Sequence, residues 1–253
     1  MLSAKPEGNY HYLPITIESE PQDWEVPFCC GVVADAGYEI VRATFERPVP
    51  WRDGFTLIDS HLKALRRPCQ ALCGIELLCA APYTREGFLE FNGKYAEVLI
   101  KWGLYGNKVG TGSTARTNIA PSYGAPEEQV MAAFAYTVPS STRRPTFVVS
   151  SGTPGGVRLG EKTADAIREQ VAWMVNSLEQ RMKELGVSWA SATDLIAYTP
   201  VHIEPALHAE VIPKIGPAVA NGIRWFPGQA PVGGGGLEMS TYGIIQDFRI
   251  MVE

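Results

Sequence analysis

The sequence predicts an α/β (α+β) fold made of two tandem ββαβαββ units, each a mixed sheet with two helices on one face. Three observations carry that reading. The same order of apolar patterns returns at an offset of about 113 to 120 residues. A Thr-Val-Pro-Ser-Ser-Thr-Arg-Arg-Pro run, Thr137 to Pro145, punctuates the middle of the chain as a linker. Strand patterns alternate with helical ones in each half. The boundaries that follow are an N-terminal arm at 1–27, a first domain at 28–138, a linker at 139–145 and a second domain at 146–253.

The arm is rich in Pro, Glu and Asn, with one short strand expected at Tyr12 to Ile17. Cys29 to Ala34 is a short apolar run, Asp35-Ala36-Gly37 a turn, and Tyr38 to Glu46 alternates with Val41, Ala43 and Phe45 on one side. Together they predict a β-hairpin with one buried face. Phe55 to Leu65 carries Leu57, Ile58, Leu62 and Leu65 at helical spacing, and Ala71 to Ala81 reads as a strand covered on both faces. Thr84 is placed to cap a helix through Phe88, Phe91, Tyr95, Val98 and Trp102. Strands follow around Arg116 and from Gln129 to Val138.

The second half repeats the order. Thr146 to Ser150 is a strand, Glu161 to Leu185 a long amphipathic helix, and Asp194 to His202 an apolar strand. Pro205 to Val219 is helical but interrupted by Pro213 and Pro217, and Leu237 to Val252 alternates as one long final strand. A sheet with helices on one side leaves its other face bare, so a closed homo-oligomer is expected.

Composition narrows the function classes. The formal net charge of −5 and the lack of a Lys/Arg cluster argue against nucleic acid or an anionic membrane as partner. No apolar run approaches the roughly 20 residues that span a bilayer, and Met1 to Glu20 lacks a signal-peptide pattern. Cys29, Cys30, Cys69, Cys73 and Cys79 are odd in number and sit in apolar surroundings, as reduced thiols of a cytoplasmic protein do. Cys69 and Cys73 have no further ligands nearby, so no metal is expected, and no pattern calls for a cofactor.

The stretch most suggestive of chemistry is Ser113-Thr114-Ala115-Arg116-Thr117-Asn118-Ile119-Ala120-Pro121. An arginine among small side chains presents a permanent, planar set of donors to a carboxylate or phosphate. The plain alternative is an exposed arginine or one paired with a local acid. Ser150-Ser151-Gly152 lacks the spacing of a nucleophile elbow. His202 ends a predicted strand, where open α/β sheets meet ligands, though a satisfied strand-end histidine is the favoured reading. Trp225 and Phe226 either wall a planar substrate or pack a core. Gly233 to Gly236 suit a loop or a close backbone approach. Glu76, inside an apolar strand, is either paired or perturbed, and pairing is the simpler reading.

Two stretches resemble a known family. Thr146-Phe147-Val148-Val149-Ser150-Ser151-Gly152-Thr153-Pro154 is similar to the strand-turn signature of the reactive-intermediate deaminase (Rid, or YjgF-type) family, and Ala115-Arg116-Thr117-Asn118 resembles its active-site arginine strand. Gly236-Leu237-Glu238-Met239 resembles its last strand, where a glutamate is common. The resemblance implies a chorismate-mutase-like fold in tandem and a homotrimer with clefts between neighbours. It also implies hydrolytic deamination of a small carboxylated imine, enamine or aminomuconate-like compound. Arg116 would hold the carboxylate, and Glu238 with Asn118 would position water. Thr117, Ser151, His202, Trp225, Phe226 and Gln229 would line the substrate. Gln229 stands where the second copy would carry its arginine, and the strand from Val130 to Tyr136 has no glutamate, so each copy keeps one half of the pattern. A chorismatase-like lyase or other hydrolase on the same architecture, or a non-catalytic small-molecule binder, remain the alternative readings.

Overall fold

The computed structural model describes residues 1–15, 26–150, 157–232 and 236–252. Ser151, the rest of the predicted strand-turn signature, and Gly233 to Gly235 lie outside them.

In the first half, β4 (Tyr38–Pro50) leads into α1 (Trp51–Ala64), β5 (Leu72–Leu78), α2 (Arg85–Lys101), β6 (Ala115–Pro121) and β7 (Val130–Pro139). In the second, β8 (Phe147–Ser150) is followed by α3 (Ala164–Glu184), β9 (Asp194–Tyr198), short helical turns from 204 to 221, β10 (Arg224–Phe226) and β12 (Glu238–Gly243). Strand orders match: β6-β5-β7-β4 in one sheet and β10-β9-β12-β8 in the other. β5 runs parallel to β6 as β9 does to β10, and the remaining pairs of each set are antiparallel. The tandem repetition and the two mixed sheets with their helices are therefore present.

Each helix forms for a local reason and covers one sheet. Thr84 Oγ accepts from Gly87 N–H at 3.1 Å to start α2, and Thr163 Oγ accepts from Ala166 N–H at 3.2 Å to start α3. Trp51, Phe55, Ile58 and Leu62 of α1, with Phe91, Tyr95 and Leu99 of α2, bury one stripe against Ile75, Leu77, Phe134 and Tyr136. Val171, Met174, Leu178 and Met182 of α3 do the same against Phe147, Val149 and Met239.

The bare sheet faces meet each other. Ile40, Ala115, Ile119 and Ala135 of one sheet pack on Val148, Ile196, Tyr198 and Tyr242 of the other. The face expected to require another copy is thus covered inside one chain, giving layers in the order helix, sheet, sheet, helix. No helix among the described residues is long and apolar enough to cross a membrane.

Several local expectations are corrected. The hairpin over Cys29–Glu46 does not form. β3 (Gly31–Ala34) pairs with β8, while β4 already has β7 along one edge and β13 (Asp247–Ile250) along the other. Thr146 holds the divergence, its carbonyl accepting from Ala34 N–H at 3.0 Å and its hydroxyl from Ile40 N–H at 2.7 Å. The N-terminal arm carries β1 (Ser3–Lys5) and β2 (Tyr10–Leu13), which extend the β3 edge. The long final strand is two strands in different sheets, since the chain crosses over at Ile244 to Gln246. Apolar alternation continues through that crossing, so periodicity does not mark it. Glu76 is paired, accepting from Arg42 Nε at 2.6 Å and Nη2 at 2.7 Å.

Candidate active site

β6 places its side chains on alternate faces, so Arg116 and Asn118 share the face beneath α2 and Thr117 turns toward the other sheet. Arg116 is buried, and its Nη1 donates to Asn92 Oδ1 at 2.8 Å. Its guanidinium carbon stands 4.0 Å from the Phe28 ring centre, 5.2 Å from Tyr95 and 5.6 Å from Phe88. Three aromatic rings and one amide oxygen form a low-dielectric cradle for the cation. Phe28 is only half-buried.

Thr117 reaches across the seam, its hydroxyl 3.3 Å from that of Ser240 on β12. Two residues before Ser240, on the same face of β12, lies Glu238, opposite Tyr198 in the register. Burial pushes the Glu238 carboxyl up to about 8, with the positive charges of Arg116 and Arg181 pulling the other way. The acid from the second half and the arginine from the first are thus electrostatically coupled. A carboxyl with this pKa is mostly protonated at neutral pH and close enough to neutrality to exchange its proton.

Asn118 accepts at Oδ1 from Gln129 Nε2 at 3.0 Å, and Gln129 Nε2 also donates to the Leu78 carbonyl at 3.1 Å. Tyr83 O–H donates to Gln129 Oε1 at 2.7 Å, with the Tyr83 ring stacked on Phe91. Cys79, after β5, has its thiol pushed up to about 11, mainly by burial and further by Glu238, which keeps it from acting as a thiolate near pH 7. The cavity lined by Arg116, Thr117, Glu76 and Tyr242 measures about 10 Å³, room for roughly one water. A roomier concavity of about 620 Å³ lies along α3, between Asn176 and Trp189, and includes neither Arg116 nor Glu238. We assign the site by its chemistry, a buried cation coupled to a perturbed acid, rather than by size.

The structure therefore sets Arg116 and Asn118 on one face of β6 and joins Thr117, on its other face, through Ser240 to the strand that carries Glu238. It leaves others apart. His202 is exposed and meets Glu204 at 3.3 Å. Trp225 is largely exposed, its indole N–H donating to the Thr199 carbonyl at 2.8 Å, and Phe226 packs on Tyr198. Gln229 is not the counterpart of Arg116. The strand parallel to β9 is β10, and Gln229 belongs to β11 (Gly228–Gln229), which pairs with Ala120 and Pro121 of β6. Pro227 ends β10, and Gly228 then passes so close to β6 that an added Cβ would sit 2.6 Å from Ile119 Cγ2 and 3.0 Å from the Ala120 carbonyl.

Residue patterns alone do not single out Asn92, Gln129, Tyr83, Arg181 or Phe28. Asn92 carries a signal in hindsight: it is a polar side chain on the apolar stripe of Phe88, Tyr95 and Leu99, and it is fully buried.

Comparison with known proteins agrees with a deaminase. The chain is 32% identical over 252 residues, 95% of its own length and 95% of the relative's, to 2-amino-5-chloromuconate deaminase of Comamonas testosteroni. Among solved structures it is similar to a chorismatase, with 9% identity, 84% of this chain and 77% of that one covered, and a TM-score of 0.46. It is also similar to cyanuric acid hydrolase from A. caulinodans, with 8% identity, 83% and 68% covered, and a TM-score of 0.39. These are weak likenesses, and the fold described above stands on the chain's own strands. Residues 2–248 match the family described as 2-aminomuconate deaminase CnbZ. The chain belongs to that family, an enzyme family acting on a C–N bond.

Proposed function

We propose that the chain hydrolyses the C–N bond of a small carboxylated enamine or imine of the aminomuconate type. Arg116 holds a substrate carboxylate, Glu238 transfers protons, and Asn118 orients a neighbouring oxygen. The carrying observation is a buried arginine of the first half, cradled by Phe28 and Tyr95, whose charge acts on the buried Glu238 of the second half. The similarity of the arginine strand to Rid-type deaminases supports the same role for Arg116. So does the name of the relative, whose substrate is an aminomuconate.

The protonation states suit the reaction. Glu238, neutral at pH 7, gives its proton to the enamine carbon, and the nitrogen becomes an iminium. The resulting carboxylate, stabilised by Arg116, takes a proton from water as its oxygen bonds to the iminium carbon. Glu238 then protonates the amine, the C–N bond breaks, ammonia leaves, and the hydroxyl proton returns to the carboxylate as the carbonyl forms. The sum is enamine plus water to ketone plus ammonia, and no step needs a metal or redox partner.

Ammonia release from 2-aminomuconate generated in the assay tests the reading. Arg116→Ala and Glu238→Gln are each expected to lose roughly 10²-fold or more in kcat/KM. Ammonia release by the unsubstituted protein no faster than in buffer, or release unchanged by Arg116→Ala, overturns it.

A further inference from the structure

The Asn118 side chain is buried, yet its Nδ2 has no hydrogen-bond partner among the described residues. An orphaned buried amide N–H costs roughly 1–3 kcal/mol, so its retention next to Arg116 asks for a ligand. The orientation of that amide is fixed by a single backbone group. The Leu78 carbonyl accepts only, so the Gln129 atom facing it is the NH2, and the same nitrogen donates to Asn118 Oδ1. Gln129 Oε1 is then left to accept from Tyr83 O–H. Tyr83, Gln129 and Asn118 thus form a one-way relay, Tyr83 to Gln129 to Asn118, whose far end is a free donor.

Resting on the function proposed above, we infer that this donor receives the second carboxylate of a dicarboxylic substrate, while Arg116 receives the first. Arg116 and Asn118 are two residues apart on one strand face, about 6.6 Å along the strand. That separation is too wide for the two oxygens of one carboxylate and suits the two ends of a short unsaturated diacid. Gln129 and Tyr83 touch no substrate and are positioning residues: they keep Asn118 from turning its oxygen toward an anion. None of the three carries a charge, so the far carboxylate is selected by a directed N–H rather than by a second cation.

Calorimetric binding of two probes to the full chain tests this: cis,cis-muconate, a six-carbon diene with two carboxylates, and sorbate, the same chain with one. The unsubstituted protein is expected to prefer muconate by roughly tenfold or more. Tyr83→Phe and Gln129→Met are each expected to erase that preference while sorbate affinity stays within about twofold, which also shows that these two variants fold, and Asn118→Asp is expected to erase the preference as well. Tyr83→Phe is expected to add nothing in the Asn118→Asp background. A preference that survives in Tyr83→Phe and Gln129→Met, with Arg116→Ala still losing both probes, overturns the relay and leaves the proposed function intact. Failure of the unsubstituted protein to bind either probe overturns both.

Discussion

The hydroxyl of Thr117 meets that of Ser240 3.3 Å away, and this contact joins the strand that carries Arg116 in one half to the strand that carries Glu238 in the other. Neither half contains both groups. In the function proposed above, chemistry needs a group from each half, and that requirement can be measured separately from the packing of the two sheets.

Glu238 is expected to couple pH to stability and, in the function proposed above, to activity. Its carboxyl is held near 8 when folded, above the ordinary 4.5. The folded state therefore binds the proton more tightly, so stability is full below about pH 4.5 and falls as pH rises toward 8, by up to about 1.4 kcal/mol per pH unit. Glu238→Gln is expected to flatten this fall, so that its Tm exceeds that of the unsubstituted protein at pH 9 but not at pH 5. Deaminase rate in the parent protein is expected to decline above about pH 8 as the acid form is lost.

Arg42 and Glu76 form a two-pronged pair on the sheet–sheet face, and Arg42 Nη1 also reaches Asp247 at 2.7 Å. The side chains of the pair are only 12% and 18% exposed. Glu76→Leu leaves the Arg42 guanidinium only the half-exposed Asp247 as an acidic partner and is expected to cost about 3 kcal/mol in urea unfolding. The double change Arg42→Met, Glu76→Leu is expected to recover most of that loss, because the one charge left without its partner, Asp247, is half-exposed to water.

Thr84 starts the helix that covers Arg116. Thr84→Ala is expected to destabilise the protein by about 1 kcal/mol, with Thr84→Ser near neutral. Hydrogen exchange at Gly87 N–H, which the Thr84 oxygen accepts, is expected to speed up in the alanine variant alone.

Phe28 lies over the guanidinium of Arg116 at 4.0 Å. Phe28→Ala is expected to accelerate modification of Arg116 by phenylglyoxal, followed by peptide mass analysis, while Phe28→Tyr stays at the parent rate. Equal rates in all three would mean that Phe28 does not control access.

Local periodicity carried most of the element assignments. The helical stripes of α1, α2 and α3 and the strand patterns of β5, β7 and β9 are visible because each element buries one side against its own sheet. What periodicity lacks is the identity of a strand's neighbour. β3 alternates as well beside β8 as it would beside β4, and β12 runs into β13 without any change of pattern. Arg116, Asn118 and Glu238 are recognisable as residue types in characteristic strands. Asn92, Gln129 and Tyr83 are not, because their roles come from hydrogen bonds between segments 11 to 51 residues apart.

The exchange of β3 and β13 between the layers bears on how the protein is made. β13 docks on β4 from about 205 residues downstream in the chain, and β12 is the central rung between β8 and β9. Neither layer can close until residues 238–250 have been synthesised, so the nascent chain carries unfinished sheet edges for nearly the whole of translation. Chaperone demand in the cell, rather than stability in the tube, is then where a slow-folding variant of this enzyme would first reveal itself.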